Sequence, residues 1–258
     1  MLRKGGGNML MAPKCDTYCE MLRAIRRKRI GTHLRHPLRP ILKLMGWNMP
    51  YPYYRRFVEY SRWPGPVAKK LLDMPSNFIT NWSLSPETAF WLFQMVRDTK
   101  PKCIVEFGCG ASTVVIAAAM EMENMSGSFI SLEGETQWLN CTKKVLEKLN
   151  LQDRVRLSHA PVQPFGYGQQ TFHAHDVSVL SGVRADLLFV DAPPSAIGRV
   201  GVLPCVYKHL APGATIILDD AERDQEHEAI SVWEDLGLAT VTGFEPVGAG
   251  VAILVAND

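Results

Sequence analysis

Short apolar runs alternate with segments of helical spacing from residue 103 to residue 218, and this alternation limits the fold more than any other feature. Such runs, bounded by turn residues, are typical of strands that are buried on both faces. Strands that alternate with helices predict a parallel sheet covered by helices on both sides. The chain ends differently, in two strand-like runs around a turn that contains Glu245-Pro246 and Gly248. The sequence therefore predicts a doubly wound α/β fold with a seven-stranded, mostly parallel sheet and a terminal antiparallel hairpin.

The individual elements follow from the same spacings. The runs that predict strands are 103–105, 129–132, 155–157, 187–190 and 215–218, then 239–242 and 250–255 at the end. The segments that predict helices are 86–98, 114–122, 137–149, 200–210 and 226–236. Ser83 or Ser85 is expected to cap the first of these helices, because a serine hydroxyl can accept a hydrogen bond from a free N–H of the first turn.

Charge divides the chain more sharply than its net charge of +2 suggests. Residues 1–45 contain 11 of the 28 Lys and Arg residues and only two acids, whereas the rest carries 17 bases and 24 acids. The length of 258 residues suits one large domain with an appended segment. We therefore predict a basic N-terminal arm at 1–45, an aromatic-rich helical or irregular cover at 46–83, and the α/β domain at 84–258.

The arm carries most of its positive charge at residues 23–39. A run of this kind can contact RNA phosphates or an anionic lipid surface. The alternative is a solvated arm, or a helix that packs on the acidic body of its own chain or of a partner. The aromatic segment 47–63 suits an irregular cover over a pocket, and a protein–protein contact equally well.

The expected compartment follows from what the sequence lacks. No stretch approaches the roughly 18 apolar residues that a membrane helix needs, and the first residues lack the apolar core of a secretory signal. The six cysteines are scattered without a CxxC pair, which favours reduced thiols over a disulfide scaffold or a zinc site. We expect a cytoplasmic protein.

The residues with the clearest chemical meaning follow the first predicted strand, as Glu106-Phe107-Gly108-Cys109-Gly110-Ala111-Ser112. Glycines allow a tight turn and the close approach of a ligand, and the helix after them presents free N–H groups. A loop in this place binds nucleotides in doubly wound sheets. Glu106 would repel the pyrophosphate of a dinucleotide and attract an amino group, and Thr113 replaces the third glycine of the dinucleotide fingerprint. The loop therefore favours a cationic ligand over NAD.

This region resembles the class I S-adenosylmethionine-dependent methyltransferases over roughly residues 84–258. The shared pattern is Glu106-x-Gly108-x-Gly110, Glu133 after the next strand, Asp191 after a later apolar strand, and Leu210-Ala211-Pro212-Gly213. The resemblance implies a Rossmann-like methyltransferase fold and S-adenosylmethionine as the cofactor. It assigns cofactor binding to Glu106, Gly108, Gly110 and Ser112 at the methionine part, Glu133 at the ribose, Ala160 beside the adenine, and Asp191 facing the transferred methyl group.

A second acidic site follows the strand after that of Asp191. Asp219 and Asp220 should meet Asp191 at the carboxyl edge of adjacent strands, where three hard oxygen donors suit Mg²⁺ or Ca²⁺. The set resembles the Asp…Asp-Asn metal site of catechol-type and caffeoyl-coenzyme-A-type O-methyltransferases, in which the cation lowers the pKa of the acceptor hydroxyl. Two features depart from that pattern: Asp220 replaces the asparagine, and no lysine follows Asp191. The alternative is that Asp219 and Asp220 cap the next helix.

The general base stays open among Asp191, Asp219 and a histidine of the 159–175 segment, of which His175 is our choice. Arg199 and Arg223 are expected to pair with the acidic cluster or to grip an anionic substrate. Methylation of a base nitrogen is disfavoured, because Ala192 precedes the two prolines where the motif of those enzymes needs Asp or Asn.

These observations predict an enzyme that transfers a methyl group to a hydroxyl of a small molecule, with Mg²⁺ as an assisting ion. One alternative is an RNA- or membrane-associated methyltransferase that uses the basic arm. The other is a non-catalytic nucleotide-binding interaction module. The expected partner is the small-molecule acceptor; an anionic surface at residues 23–39 and a homodimer are kept as further alternatives.

Overall fold

A computed structural model of the protein describes residues 50–258. Its strands are β1 Cys103–Phe107, β2 Ser128–Glu133, β3 Arg156–His159, β4 Val162–Tyr167, β5 Gln170–His175, β6 Ala185–Val190, β7 Leu210–Asp219, β8 Ala239–Glu245 and β9 Val251–Ala256. Its α-helices are α1 Pro50–Tyr60, α2 Gly65–Leu72, α3 Pro86–Thr99, α4 Ala111–Met122, α5 Thr136–Lys148, α6 Val202–Val206 and α7 Asp224–Asp235. The basic arm predicted at 1–45, and the first residues of the predicted cover, lie outside the described residues.

Seven strands form one sheet in the order β3-β2-β1-β6-β7-β9-β8. The first five run parallel, and β9 lies antiparallel between β7 and β8. The register pairs Phe107 of β1 with Leu132 of β2 and with Val190 of β6, and Val190 pairs with Leu218 of β7. These four strands therefore end at one level, which we call the carboxyl edge. The predicted fold class is confirmed.

The small residues of α4 explain how this helix fits between the sheet and its neighbours. Every residue from Ala111 to Met120 is buried, and α4 packs on α3. Alanine and valine side chains allow the backbones to approach closely, so a helix that is apolar on all sides is stable in this layer. The N-terminus of α4, which follows the glycine loop, is thereby held at the carboxyl edge.

The described part of the aromatic segment is mostly helical, which is one of the two forms that the sequence left open. Helices α1 and α2 pack against α3 and α4, and Tyr54 and Val58 of α1 are buried. The Trp63 ring lies edge-on to Phe90, with 5.0 Å between ring centroids, and 5.3 Å from the centroid of Phe93. These aromatic side chains therefore belong to the hydrophobic core.

Two segments depart from the predicted pattern for local reasons. The segment before residue 176, for which the sequence predicts no strand, forms a second, two-stranded antiparallel sheet of β4 and β5, whose Phe165 and Phe172 rings lie 5.9 Å apart. The helix predicted at 200–210 is the short α6 followed by a 3₁₀ turn, Tyr207–His209, because β7 begins already at Leu210. A register shift between Ala185 and Leu187 accommodates the early start of β7.

Within residues 50–258, none of the helices has the length and apolar composition that crossing a membrane requires.

Candidate active site

The glycine loop turns directly after β1 and is fixed to its neighbours by backbone contacts. Gly108 has a φ of +96°, and its N–H donates to the Leu132 carbonyl of β2 at 2.8 Å. A Cβ at Gly108 would lie 2.8 Å from the Cβ of Ala192, so both the backbone conformation and the space require glycine. The loop therefore lies against the residue that follows Asp191.

Gly110 is different, because a Cβ added there would have no atom within 4 Å. This glycine precedes the first turn of α4, and its N–H donates to the Thr113 hydroxyl at 2.9 Å. The open space beside it lies at a helix N-terminus, where polar ligands are stabilised by free N–H groups. The loop thus leaves room for a ligand at Gly110 and none at Gly108.

Glu106 is buried under this loop at the end of β1. Its Oε2 accepts hydrogen bonds from the Thr113 hydroxyl at 2.7 Å and from the Ser131 hydroxyl at 2.6 Å. Its Oε1 is buried and has no hydrogen-bond partner among the described residues. Burial raises the pKa of Glu106 to about 7, against the stabilising effect of the hydroxyl donors. A buried carboxylate oxygen without a donor suits a ligand that brings a cationic N–H.

Glu133 at the end of β2 connects two loops. Its Oε2 accepts from the Cys109 N–H at 3.1 Å and its Oε1 from the Glu135 N–H at 2.7 Å. Burial raises the pKa of this carboxyl, and the two backbone donors oppose the shift. Each oxygen keeps capacity for one more donor, as ribose hydroxyls would supply. Ala160 lies beside this site, because its N–H donates to the Glu133 carbonyl at 2.8 Å.

Ser112 and Trp138 lie in the first turns of the two neighbouring helices. Ser112 is buried in α4, and its nearby hydroxyl lowers the pKa of Glu106. Trp138 lies in α5 and is 36% exposed, so it is not part of the core. The predicted cofactor-binding residues of β1, β2 and the following loops thus lie along one side of the carboxyl edge.

Asp191, Asp219 and Asp220 meet at the ends of β6 and β7, as the sequence predicted. One oxygen of each lies within 4.8 Å of the others, which is the spacing that a metal site needs. Arg199, which is only 4% exposed, lies in the same cluster. Its Nη2 donates to Asp191 Oδ1 at 2.9 Å and lies 3.4 Å from Asp220 Oδ2. The pairing expected for this arginine is therefore present.

The charges of the cluster explain its pKa shifts. Burial raises the pKa of Asp191 to about 6, while Arg199 opposes the shift. Burial and the two neighbouring carboxylates raise the pKa of Asp219 well above its usual value, and Asp219 Oδ1 has no hydrogen-bond partner among the described residues. Asp220 has a φ of +57° and pairs with Arg223 at 2.8 Å. Asp191 is therefore the more readily ionised of the two buried aspartates.

The alternative role of Asp219 and Asp220 as a helix cap is not what the structure shows. The N-cap residue of α7 is Arg223, which makes no side-chain cap hydrogen bond. The carboxylate of Asp220 faces Arg199 and Arg223 instead. By contrast, Ser85 caps α3 as expected, since its hydroxyl accepts from the Thr88 N–H at 3.1 Å.

His175 lies at the end of β5, away from the exposed surface. Its ring is edge-on to Phe107 with 5.5 Å between centroids, and its Nδ1 is buried without a hydrogen-bond partner among residues 50–258. Burial lowers its pKa to about 4, so the imidazole is neutral at pH 7. His175 is close to Gly134, on the Glu133 side of the edge. Its catalytic role stays a prediction, as do the metal roles of the three aspartates.

Sequence reasoning missed the two hydroxyls that hold Glu106. Ser131 is a buried polar residue within the apolar strand β2. A polar residue inside such an apolar run indicates that its side chain has a buried hydrogen-bond partner, and this could have been recognised from the sequence. Thr113 was interpreted only as a departure from the dinucleotide fingerprint, whereas its hydroxyl joins the Gly110 N–H to the Glu106 carboxylate.

The chain resembles known methyltransferases in sequence and in fold. The family model of a methyltransferase domain matches residues 105–221, which run from within β1 to just beyond the end of β7. No curated protein matches the sequence.

Solved structures with the same fold include several methyltransferases. A methyltransferase from Geobacter sulfurreducens is 20% identical, covers 78% of this chain and 93% of its own, and has a TM-score of 0.55. An O-methyltransferase from Bacillus cereus, solved with S-adenosylhomocysteine, is 18% identical, covers 81% and 100%, and has a TM-score of 0.56. An O-methyltransferase from Streptomyces achromogenes involved in tomaymycin synthesis, solved with S-adenosylmethionine, is 17% identical, covers 83% and 98%, and has a TM-score of 0.53. At these identities the likeness shows the fold.

The two loop glycines provide a matched test of this geometry. Gly108→Ala is expected to lower the free energy of unfolding by about 2–4 kcal/mol, because it combines positive-φ strain with overlap against Ala192. Gly110→Ala is expected to cost less than about 1 kcal/mol, because its Cβ enters open space. Urea unfolding followed by circular dichroism measures both. Equal losses in the two variants would contradict the loop geometry.

Proposed function

We propose that the protein transfers a methyl group from S-adenosylmethionine to a hydroxyl group of a small molecule, because a family model of a methyltransferase domain matches residues 105–221. The observation that supports the proposal most is the buried Glu106 Oε1, which has no hydrogen-bond partner among the described residues, together with the open space at Gly110 in the loop that follows β1. The solved O-methyltransferases of the same fold support the choice of a hydroxyl acceptor. The described residues offer no specific support for RNA or lipid, since the basic arm lies outside them.

The residues at the glycine loop fit the amino-acid part of the cofactor. The Glu106 carboxylate can accept a hydrogen bond from its ammonium group, which removes the desolvation cost of an unpaired buried oxygen. The first N–H groups of α4 and the space at Gly110 suit its carboxylate. Glu133 can accept from the ribose hydroxyls, and Ala160 would adjoin the adenine. When bound, the cofactor supplies an electrophilic methyl group on its sulfonium.

Asp191 is the residue best suited to take the proton of the acceptor. Arg199 holds its Oδ1, and its Oδ2 accepts no hydrogen bond from the described residues, so this oxygen is available to an acceptor hydroxyl. A pKa of about 6 leaves Asp191 largely ionised at pH 7 and close to the pKa of an efficient general base. Asp219 holds its proton more firmly, because two carboxylates surround it in a buried place. Asp191 therefore orients the hydroxyl and accepts its proton.

The loop after Asp191 provides apolar contact for the acceptor. Pro194 is exposed and Ile197 is 46% exposed, both within a few residues of Asp191. An apolar ring packed there would place its hydroxyl beside the carboxylate, which supplies the orientation that accelerates a displacement. We therefore infer an acceptor that is a small, partly apolar alcohol or phenol.

The cofactor part of the proposal is tested by Glu133→Ala. The variant loses the charged acceptor to which two ribose hydroxyls would donate hydrogen bonds, so its affinity for S-adenosylmethionine should fall at least about tenfold. Isothermal titration calorimetry measures this loss. The control is Glu135→Ala in the same loop, whose exposed side chain should leave the affinity within about threefold. No binding to the wild-type protein would refute the proposal.

The pKa of Glu106 predicts a pH dependence of cofactor binding. Its carboxyl titrates at about 7, so the anionic form that attracts an ammonium group increases from pH 6 to pH 8. Affinity should therefore rise about tenfold over this range. Glu106→Gln has no such titration, so it should bind more weakly with a flat profile. A profile that keeps its slope in the glutamine variant would exclude Glu106 as the cause.

Turnover tests the role of Asp191. With a panel of phenols and alcohols, Asp191→Asn should lower kcat by about 10² or more, because the amide cannot accept the proton. Cofactor affinity should change little by comparison. Asp153→Asn, an exposed acid in the turn after α5, is the control that should retain full activity. An unchanged kcat in Asp191→Asn would show that another residue is the general base.

A further inference from the structure

We propose that Arg199 is the permanent cation of the acidic cluster formed by Asp191, Asp219 and Asp220, and that this arginine takes the place of a divalent metal ion. The inference goes beyond the proposed function, because it concerns which cation the cluster holds and not which acceptor is methylated. It also opposes the metal site that the aspartate pattern suggested.

The contacts of the guanidinium reach all three aspartates. Besides Asp191 Oδ1, Nη2 donates to the Asp191 carbonyl at 2.7 Å, and Nη1 donates to the Asp219 carbonyl at 2.8 Å. Nη2 also lies 3.4 Å from Asp220 Oδ2, and Nη1 lies 3.6 Å from Glu226 Oε1 in α7. A planar group with donors in fixed directions is well suited to bridge two strand ends in this way.

The position of Arg199 is fixed by its surroundings. The next residue, Val200, accepts a hydrogen bond at its carbonyl from the buried Trp233 Nε1 of α7 at 2.8 Å. The Arg199 carbonyl accepts from the Val202 N–H at 3.0 Å at the start of α6. The side chain is 4% exposed, so the guanidinium cannot leave the cluster for solvent without moving this loop. It is therefore a constant part of the site.

The charge of the cluster leaves little attraction for a second cation. The guanidinium neutralises Asp191, and Arg223 pairs with Asp220 at 2.8 Å. A dication ligated by these carboxylates would lie close to the buried Arg199 charge, in surroundings that screen repulsion poorly. Mg²⁺ also needs ligands that are free to form an octahedral shell, and two of the three carboxylates already bind arginine. The donor set thus fits a resident guanidinium rather than Mg²⁺.

Arg199 acts as a positioning residue in this arrangement. By holding the Asp191 and Asp219 carbonyls it ties the ends of β6 and β7 together, and by holding Asp191 Oδ1 it fixes the direction of the other oxygen. In a metal-dependent site a dication would perform this orientation. Here it depends on a side chain that no chelator removes.

The test is a titration of the full chain with Mn²⁺, without cofactor or acceptor. Electron paramagnetic resonance measures how much of the Mn²⁺ is bound. Wild-type protein should bind no stoichiometric Mn²⁺ up to about 1 mM. Arg199→Met removes the charge and keeps much of the apolar stem, so it should bind one Mn²⁺ at least about tenfold more tightly than wild type. Arg199→Lys keeps a cation in the cluster and should remain without bound Mn²⁺. Asp219→Asn added to Arg199→Met should abolish the new site.

Two outcomes would overturn the inference. The first is stoichiometric Mn²⁺ binding to wild-type protein that Asp219→Asn abolishes. The second is a folded Arg199→Met variant, checked by circular dichroism, that gains no Mn²⁺ site. If Arg199→Met does not fold, the wild-type titration with its Asp219→Asn control decides alone. The readout needs no turnover, so failure of the proposed methyl transfer would leave the result valid.

Discussion

The parallel register of β1, β2, β6 and β7 is the constraint on which this site depends. It brings Glu106, Glu133, Asp191 and Asp219 to one edge of the sheet, where all four carboxyl groups are wholly or largely buried. Burying carboxylates is costly unless donors or cations compensate. Each of these groups is accordingly held by hydroxyls, backbone N–H groups or a guanidinium, and the atoms left without a donor mark the places where a ligand would act.

The cost of burying carboxylates is offset differently at the two halves of the carboxyl edge, which are the ends of β1 and β2 and the ends of β6 and β7. Under the glycine loop, neutral donors from Thr113 and Ser131 hold one oxygen of Glu106 and leave the other unpaired. A cationic group of a ligand would satisfy this unpaired oxygen. At the ends of β6 and β7 the cation is already part of the chain, because Arg199 lies among the aspartates. The half around Glu106 therefore suits the binding of a cationic ligand, whereas the half around Asp191 already contains its own cation and is held in a fixed arrangement.

The loop containing Arg199 also connects the site to the rest of the fold. It packs on α7 through the Trp233 indole and on the small β4–β5 sheet through Gly201, where a Cβ would lie 2.4 Å from the His173 carbonyl. This close contact joins the second sheet to the residues around Asp191. The β4–β5 sheet thus helps to support the acidic half of the carboxyl edge.

The sequence by itself determined the seven strands of the main sheet, most of the helices that alternate with them, the glycine loop and the acids at strand ends, because hydrophobic spacing and glycine positions are local properties. It also indicated which acids would meet, since parallel strands end together. Only the tertiary structure decided what holds each acid. The Ser131 hydroxyl meets Glu106 from a neighbouring strand, and Arg199, for which the sequence left pairing with the acids and contact with a substrate as alternatives, reaches Asp220 across 21 positions of the chain. Such pairs depend on register and loop packing, which local patterns do not encode.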